Sequence, residues 1–144
     1  MLVDAGASSE VGKDGGVWVD GLVIAAERGH GAVVEMLLSV GVSVDSVDSM
    51  EATALCRACL KGNAHVVRVL VDQGGADVNR CGSRNLTPLA WASGWGHEDV
   101  VRVLLEAGAD VGIVSADGDT AMDLAEREGY DGVVELLKAH RPTQ

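Results

Sequence analysis

The sequence predicts an all-α solenoid of four stacked helix-turn-helix units joined by short β-turn or hairpin connections. Three observations predict it. A glycine stands four residues before a Val-Val pair four times over, as Gly29, Gly62, Gly96 and Gly129, at intervals of 33, 34 and 33 residues. Hydrophobic residues make up 47% of the chain but aromatics only 3%, with no Phe, so the core must be built from Ala, Val and Leu, which suits close helix packing. Nineteen Gly against two Pro point to regular turns rather than Pro-rich disorder.

Each unit opens at a capping residue, Asp20, Thr53, Thr87 or Thr120, whose side-chain oxygen is suited to accept from the orphan N–H groups of a helix start. Pro88 follows Thr87 at the first helical position, where a missing N–H costs nothing. Small residues crowd the first helix (Ala25-Ala26, Ala58-Cys59, Ala92-Ser93, Ala125), and Gly29, Gly62, Gly96 and Gly129 end it. The second helix is apolar at helical spacing, as in Val33-Val34 with Met36-Leu37 and Val100-Val101 with Val103-Leu104. Gly41, Gly74 and Gly108 stop it. The doubled Gly74-Gly75 accounts for the one longer interval by inserting a residue into a turn. The pattern predicts helices over 21–28 and 31–40, 54–61 and 64–73, 88–95 and 98–107, and 121–128 and 131–139. The units span 15–47, 48–81, 82–114 and 115–144, the last a C-terminal cap, with 1–14 as a stub or the remnant of an upstream unit.

LTPLAWASGWGHEDVVRVLLEAGADV, residues 86–111, resembles an ankyrin repeat almost throughout. Residues 53–79 (TALCRACLKGNAHVVRVLVDQGGADVN) and 119–138 (DTAMDLAEREGYDGVVELLK) are similar to it, and residues 20–44 lack both the Thr and the Pro. The resemblance covers roughly residues 15–140 and implies an ankyrin-repeat solenoid that binds a protein partner on its concave side. At the C-terminus Asp123 and Glu126 replace the family's usual His and Ala, and Lys138 ends the apolar run, as suits a unit that faces water. At the N-terminus LVDAGA (2–7) is similar to LLEAGA (104–109), the tail of a second helix.

Candidate chemistry is sparse. Cys56 and Cys59 have the spacing of half a zinc site, but only His65 and Cys81 could complete it. In the repeat frame these cysteines take the usual His position and a packed Ala position, so they read as small buried thiols and no metal is expected. Five residues intervene between Gly6 and Gly12 of the run Gly6 to Lys13 where a phosphate-binding loop has four, and Asp14 would oppose a phosphate. Asp117-Gly118-Asp119 lacks the remaining ligands of a calcium loop. His30 and His97 follow helix-ending glycines, where the resemblance implies a structural link between units. No catalytic residue and no cofactor are expected.

Twenty-two acidic against eleven basic residues give a net charge of −11, which disfavours nucleic acid and anionic membranes and favours a basic partner. The longest apolar stretches, about six residues, fall far short of the ~20 a membrane span needs. Three cysteines without a secretory leader fit a reducing, cytoplasmic setting. Carried over position by position, the resemblance puts Met50, Leu60, Lys61, Arg84, Leu86, Trp95 and Arg127 on the concave face, an apolar cluster with a charged rim that would take an apolar anchor. Asn79, the one Asn at its turn position, matches the residue that asparaginyl hydroxylases modify in such repeats. The expected function is a monomeric, non-catalytic interaction module acting as scaffold or adaptor. The alternative is the regulatory or substrate-recruiting arm of a larger enzyme, a kinase or a ubiquitin ligase.

Overall fold

The computed structural model describes the backbone of residues 16–48 and 50–140, and the side chains of residues 20–48 and 50–140. The stub at 1–14 therefore lies outside the described residues. Among the described residues eight α-helices form four pairs: α1 Gly16–Glu27 with α2 Gly31–Ser39, α3 Ala54–Lys61 with α4 Ala64–Arg68, α5 Pro88–Gly94 with α6 Glu98–Glu106, and α7 Ala121–Glu128 with α8 Asp131–Ala139. First helices stack in one layer, α1 on α3 on α5 on α7, and second helices stack in another. A single apolar core runs through all four pairs, made of Ala, Val and Leu with Cys59. Among the described residues there is no strand, and no helix is long and apolar enough to cross a membrane.

The helix starts follow from local chemistry. Thr53, Thr87 and Thr120 sit in extended backbone, and each Oγ1 accepts from the N–H three residues on, at 3.1, 3.0 and 3.1 Å. Asp123 returns the favour at α7, its carboxylate accepting from the Thr120 N–H at 3.0 Å. Asp20 departs from the expectation. The helix α1 already begins at Gly16, so Asp20 and Gly21 lie inside it and Asp20 caps nothing. Before each Thr cap the chain makes a tight turn, closed by Asp48 N–H to Ala52 O, Gly82 N–H to Leu86 O and Ser115 N–H to Asp119 O. In the first unit the corresponding run, Gly16-Val17-Trp18-Val19, is helical instead of turned.

The extra residue of the second unit is also placed differently from the sequence expectation. It widens the end of the helix, where α4 passes into a π-helical turn over Val69–Gln73, with the Gly74 N–H bonded to Val69 O at 3.2 Å. The bond from Ala76 N–H to Leu70 O spans six residues, whereas its equivalents, Val42 to Leu37 and Ala109 to Leu104, span five. Leu70 and Ala76 are both buried, so one wide turn keeps both in the core. Gly74 is required there, since a Cβ would lie 2.8 Å from both Leu70 O and Val44 Cγ2.

Candidate partner-binding face

The turns and the first helices together line one face, and the periodic backbone builds it. Glu51, Asn85 and Gly118 occupy equivalent turn positions, and all have positive φ (64°, 57° and 88°). Asp48 and Ser115 brace their turns by accepting from backbone N–H groups: Met50 and Ala52 for Asp48, Asp117 and Asp119 for Ser115. Gly82 has no such side chain, and there the chain tightens into a 3₁₀ turn, Ser83–Asn85. The third turn pairs with the fourth through Ala116 N–H to Arg84 O at 2.9 Å and Asn85 Nδ2 to Val114 O at 2.9 Å.

Two hollows lie between the turns and the first helices. The smaller, about 140 Å³, is lined by Met50, Ala52, Cys56, Arg57, Leu60, Gly82, Ser83 and Trp91. The larger, about 310 Å³, holds Arg84, Leu86, Ala90, Trp91, Gly94 and Trp95 on one side and Ser115, Asp117, Asp119, Leu124, Arg127 and Glu128 on the other. Six of the seven residues expected on this face thus divide between two hollows, Met50 and Leu60 in one and Arg84, Leu86, Trp95 and Arg127 in the other. Lys61 is exposed and lines neither. Met50 is 66% and Trp95 57% exposed, the two most exposed large apolar side chains described.

Trp91 walls both hollows while packing partly against the core. Its second role arises because its position faces the groove side of α5. Its equivalents are Arg57 and Leu124, which line the smaller and larger hollows respectively.

The electrostatics of the rim are largely internal. Arg127 holds Asp119 with Nη2 2.7 Å from Oδ1 and Nη1 3.1 Å from Oδ2, and these hydrogen bonds hold the Asp119 carboxyl below the ordinary carboxylate value while raising Arg127. Arg84 pairs with Asp117. Arg57 Nη2 lies 3.4 Å from Asp48 Oδ2 and 3.5 Å from Met50 Sδ. Burial works to raise the Asp48 carboxyl, but the Ala52 and Met50 N–H groups and the Arg57 charge together lower it.

The other sequence candidates have structural places. Cys56 and Cys59 are buried, and desolvation pushes both thiols up, Cys59 furthest, which leaves them poor nucleophiles. His97 Nε2 donates to Leu60 O at 2.9 Å, and Asn63 Nδ2 donates to both Ala26 O and Glu27 O at 3.0 Å, so these residues tie the third unit to the second and the second to the first. Gly62 lets His97 in, since a Cβ would lie 2.5 Å from its Nδ1. Asn79 Oδ1 accepts from the Asp110 N–H at 2.7 Å, as Asp45 Oδ1 accepts from the Asp77 N–H at 3.0 Å one unit earlier.

A family model described as ankyrin repeats in three copies matches residues 22–115. The chain is 40% identical over 93 residues to human Ankyrin repeat and KH domain-containing protein 1, covering 63% of this chain and 4% of that protein. It is 33% identical over 118 residues to Tyrosine-protein kinase HTK16 of Hydra vulgaris, covering 81% of this chain and 16% of the kinase. It is 31% identical over 109 residues to Putative E3 ubiquitin-protein ligase XBAT34 of Arabidopsis thaliana, covering 74% of this chain and 29% of the ligase. The chain therefore spans less than a third of each of these relatives.

Proposed function

Because the chain belongs to the ankyrin-repeat family, whose arrays are protein–protein interaction modules, we propose that it is a non-catalytic scaffold or adaptor that binds a protein through the face described above. The observation that carries this reading is the pair of hollows sharing Trp91, flanked by exposed Met50 and Trp95. Trp and Arg are the residue types most enriched at binding hot spots, and an apolar anchor entering a hollow is the usual source of affinity. The partner carries such an anchor and is basic around it. Net charge of −11 supports that choice, as does the pairing of Arg84 and Arg127 with the chain's own carboxylates, which leaves them little to offer an acidic partner. The module acts as a monomer in the cytoplasm, where buried Cys56 and Cys59 stay reduced.

Affinity capture with wild type beside Trp95→Ala, Met50→Ala and Leu104→Ala tests this. Truncating the exposed Trp95 should change stability by no more than about 0.5 kcal/mol while costing about 2 kcal/mol or more of affinity. Leu104 is fully buried, and its truncation should cost roughly 2–5 kcal/mol, so fold and partner go together. Retention of the same partner by both surface variants would remove the face from consideration.

A second reading is the regulatory or recruiting arm of a larger enzyme, supported by the resemblance to a kinase and a ubiquitin ligase of which the match covers 16% and 29%. Peptide sequencing of the native polypeptide decides between them, since a kinase or ligase domain on the same chain is what this reading requires. Asn79 is further proposed as a hydroxylation site, tested by a mass gain of one oxygen on its peptide. The modification falls on the Asn79 side chain and leaves its oxygen able to keep the bond to Asp110.

A further inference from the structure

The two ends of the array differ in chemistry, and equivalent positions show it. Val66, Val100 and Val133 are 1%, 0% and 0% exposed, while their counterpart in the first pair, Val33, is 40% exposed. Val69 and Val103 are 4% and 6% exposed, while their counterpart Met36 is 41% exposed. The fourth pair has no following pair among the described residues and still buries Val133, so burial at this position does not depend on a following neighbour. What the second, third and fourth pairs share, and the first lacks among the described residues, is a preceding helix pair.

The opposite end is finished in polar residues. Where the first three pairs bury Val23, Cys56 and Ala90, the fourth exposes Asp123. Where they bury Ala26, Cys59 and Ser93 it exposes Glu126, and where they pack Leu38, Val71 and Leu105 it exposes Lys138. A terminal unit that ends an array needs a polar outer face. The fourth pair has one and the first does not.

We propose that the Val33/Met36 face of α2 is a stacking surface for a further helix pair of the same kind, one whose second helix closes on residues 2–7. The sequence supplies that occupant: LVDAGA at 2–7 matches LLEAGA at 104–109, and Leu2 stands 35 residues before Leu37, against 33 from Leu37 to Leu70 and 34 from Leu70 to Leu104. The docking would continue the interface already repeated from α2 to α4, α4 to α6 and α6 to α8. A second copy stacking head to tail would set this apolar face against exposed Asp123, Glu126 and Lys138, whose charges it would desolvate without offering a counter-charge.

The test places a copy of residues 86–103 directly before Leu2 of the full chain, so that the copied helix pair closes on LVDAGA. Hydrogen exchange over 31–39 should slow by about tenfold or more, toward the protection of 64–70, because end units gain most from a new neighbour. Val33→Glu with Met36→Glu should abolish that gain, and the same pair should change the melting midpoint of the 144-residue chain little, since both side chains are already exposed. No slowing in the extended chain, or slowing that survives both substitutions, would overturn the proposal. So would a dimer of the 144-residue chain by analytical ultracentrifugation that Val33→Glu dissociates, since the face would then belong to a second copy.

Discussion

His97 Nε2 reaches back across a unit boundary to the carbonyl of Leu60, 2.9 Å away, with its ring over Gly62. One bond thus fixes the end of α3, where Leu60 enters the smaller hollow, to the start of α6. Asn63 makes the same connection one unit earlier with an amide donor. His97→Ala should cost about 1–2 kcal/mol by leaving Leu60 O without its donor. His97→Asn should recover a good part of that loss. Urea unfolding of the three proteins reads the difference, and equal destabilisation by Ala and Asn would mean the ring packs rather than donates.

Asp48 should make the fold sensitive to acid. Its carboxyl is lowered in the folded chain, so its contribution is present above the unfolded carboxylate value and is lost as pH falls through the folded one. Asp48→Asn keeps an oxygen for the Met50 and Ala52 N–H groups but removes the charge beside Arg57. Wild type should be the more stable at pH 7, and the gap should close below about pH 4. A gap that stays constant down to pH 2.5, roughly, would show that the charge contributes nothing.

Ser93 is fully buried, and its Oγ has no hydrogen-bond partner among the described residues. Ala26 holds the equivalent position in the first pair. Ser93→Ala should therefore stabilise the array by about 1 kcal/mol, because it removes a desolvated hydroxyl and changes volume little. A lower denaturation midpoint for the variant would mean that the hydroxyl is bonded after all.

Deleting Gly75 should convert the π-helical turn at Val69–Gln73 to ordinary helix. The span from Leu70 to Ala76 would then match the five residues between Leu37 and Val42, and Gly74 would take the left-handed place that Gly41 and Gly108 hold at φ 99° and 91°. The shortened protein should melt cooperatively, within about 1 kcal/mol of wild type. Loss of cooperative melting would show that the wide turn is needed to seat Val71 and Leu70.

Much of this fold is written in local chemistry. A Thr oxygen and the N–H it caps lie three residues apart, and a glycine that ends a helix acts through its own φ, so Thr53, Thr87, Thr120, Gly62 and Gly129 are legible in sequence. The 33-residue recurrence then makes neighbours of equivalent positions, and the apolar faces follow. Contacts between units are another matter. Whether Arg84 and Arg127 are open to a partner depends on Asp117 and Asp119, and the Arg84 pair joins residues 33 apart that meet only once turns three and four lie side by side. Trp91 acquires two hollows for the same reason, standing where three successive units converge. Asp20 carries the side chain of a cap but not the preceding turn, and the extra residue by Gly75 could sit in turn or helix on propensity alone. The tertiary fold decided both: α1 begins at Gly16 and carries Asp20 inside it, and the second unit's helix widens where Leu70 and Ala76 both stay buried.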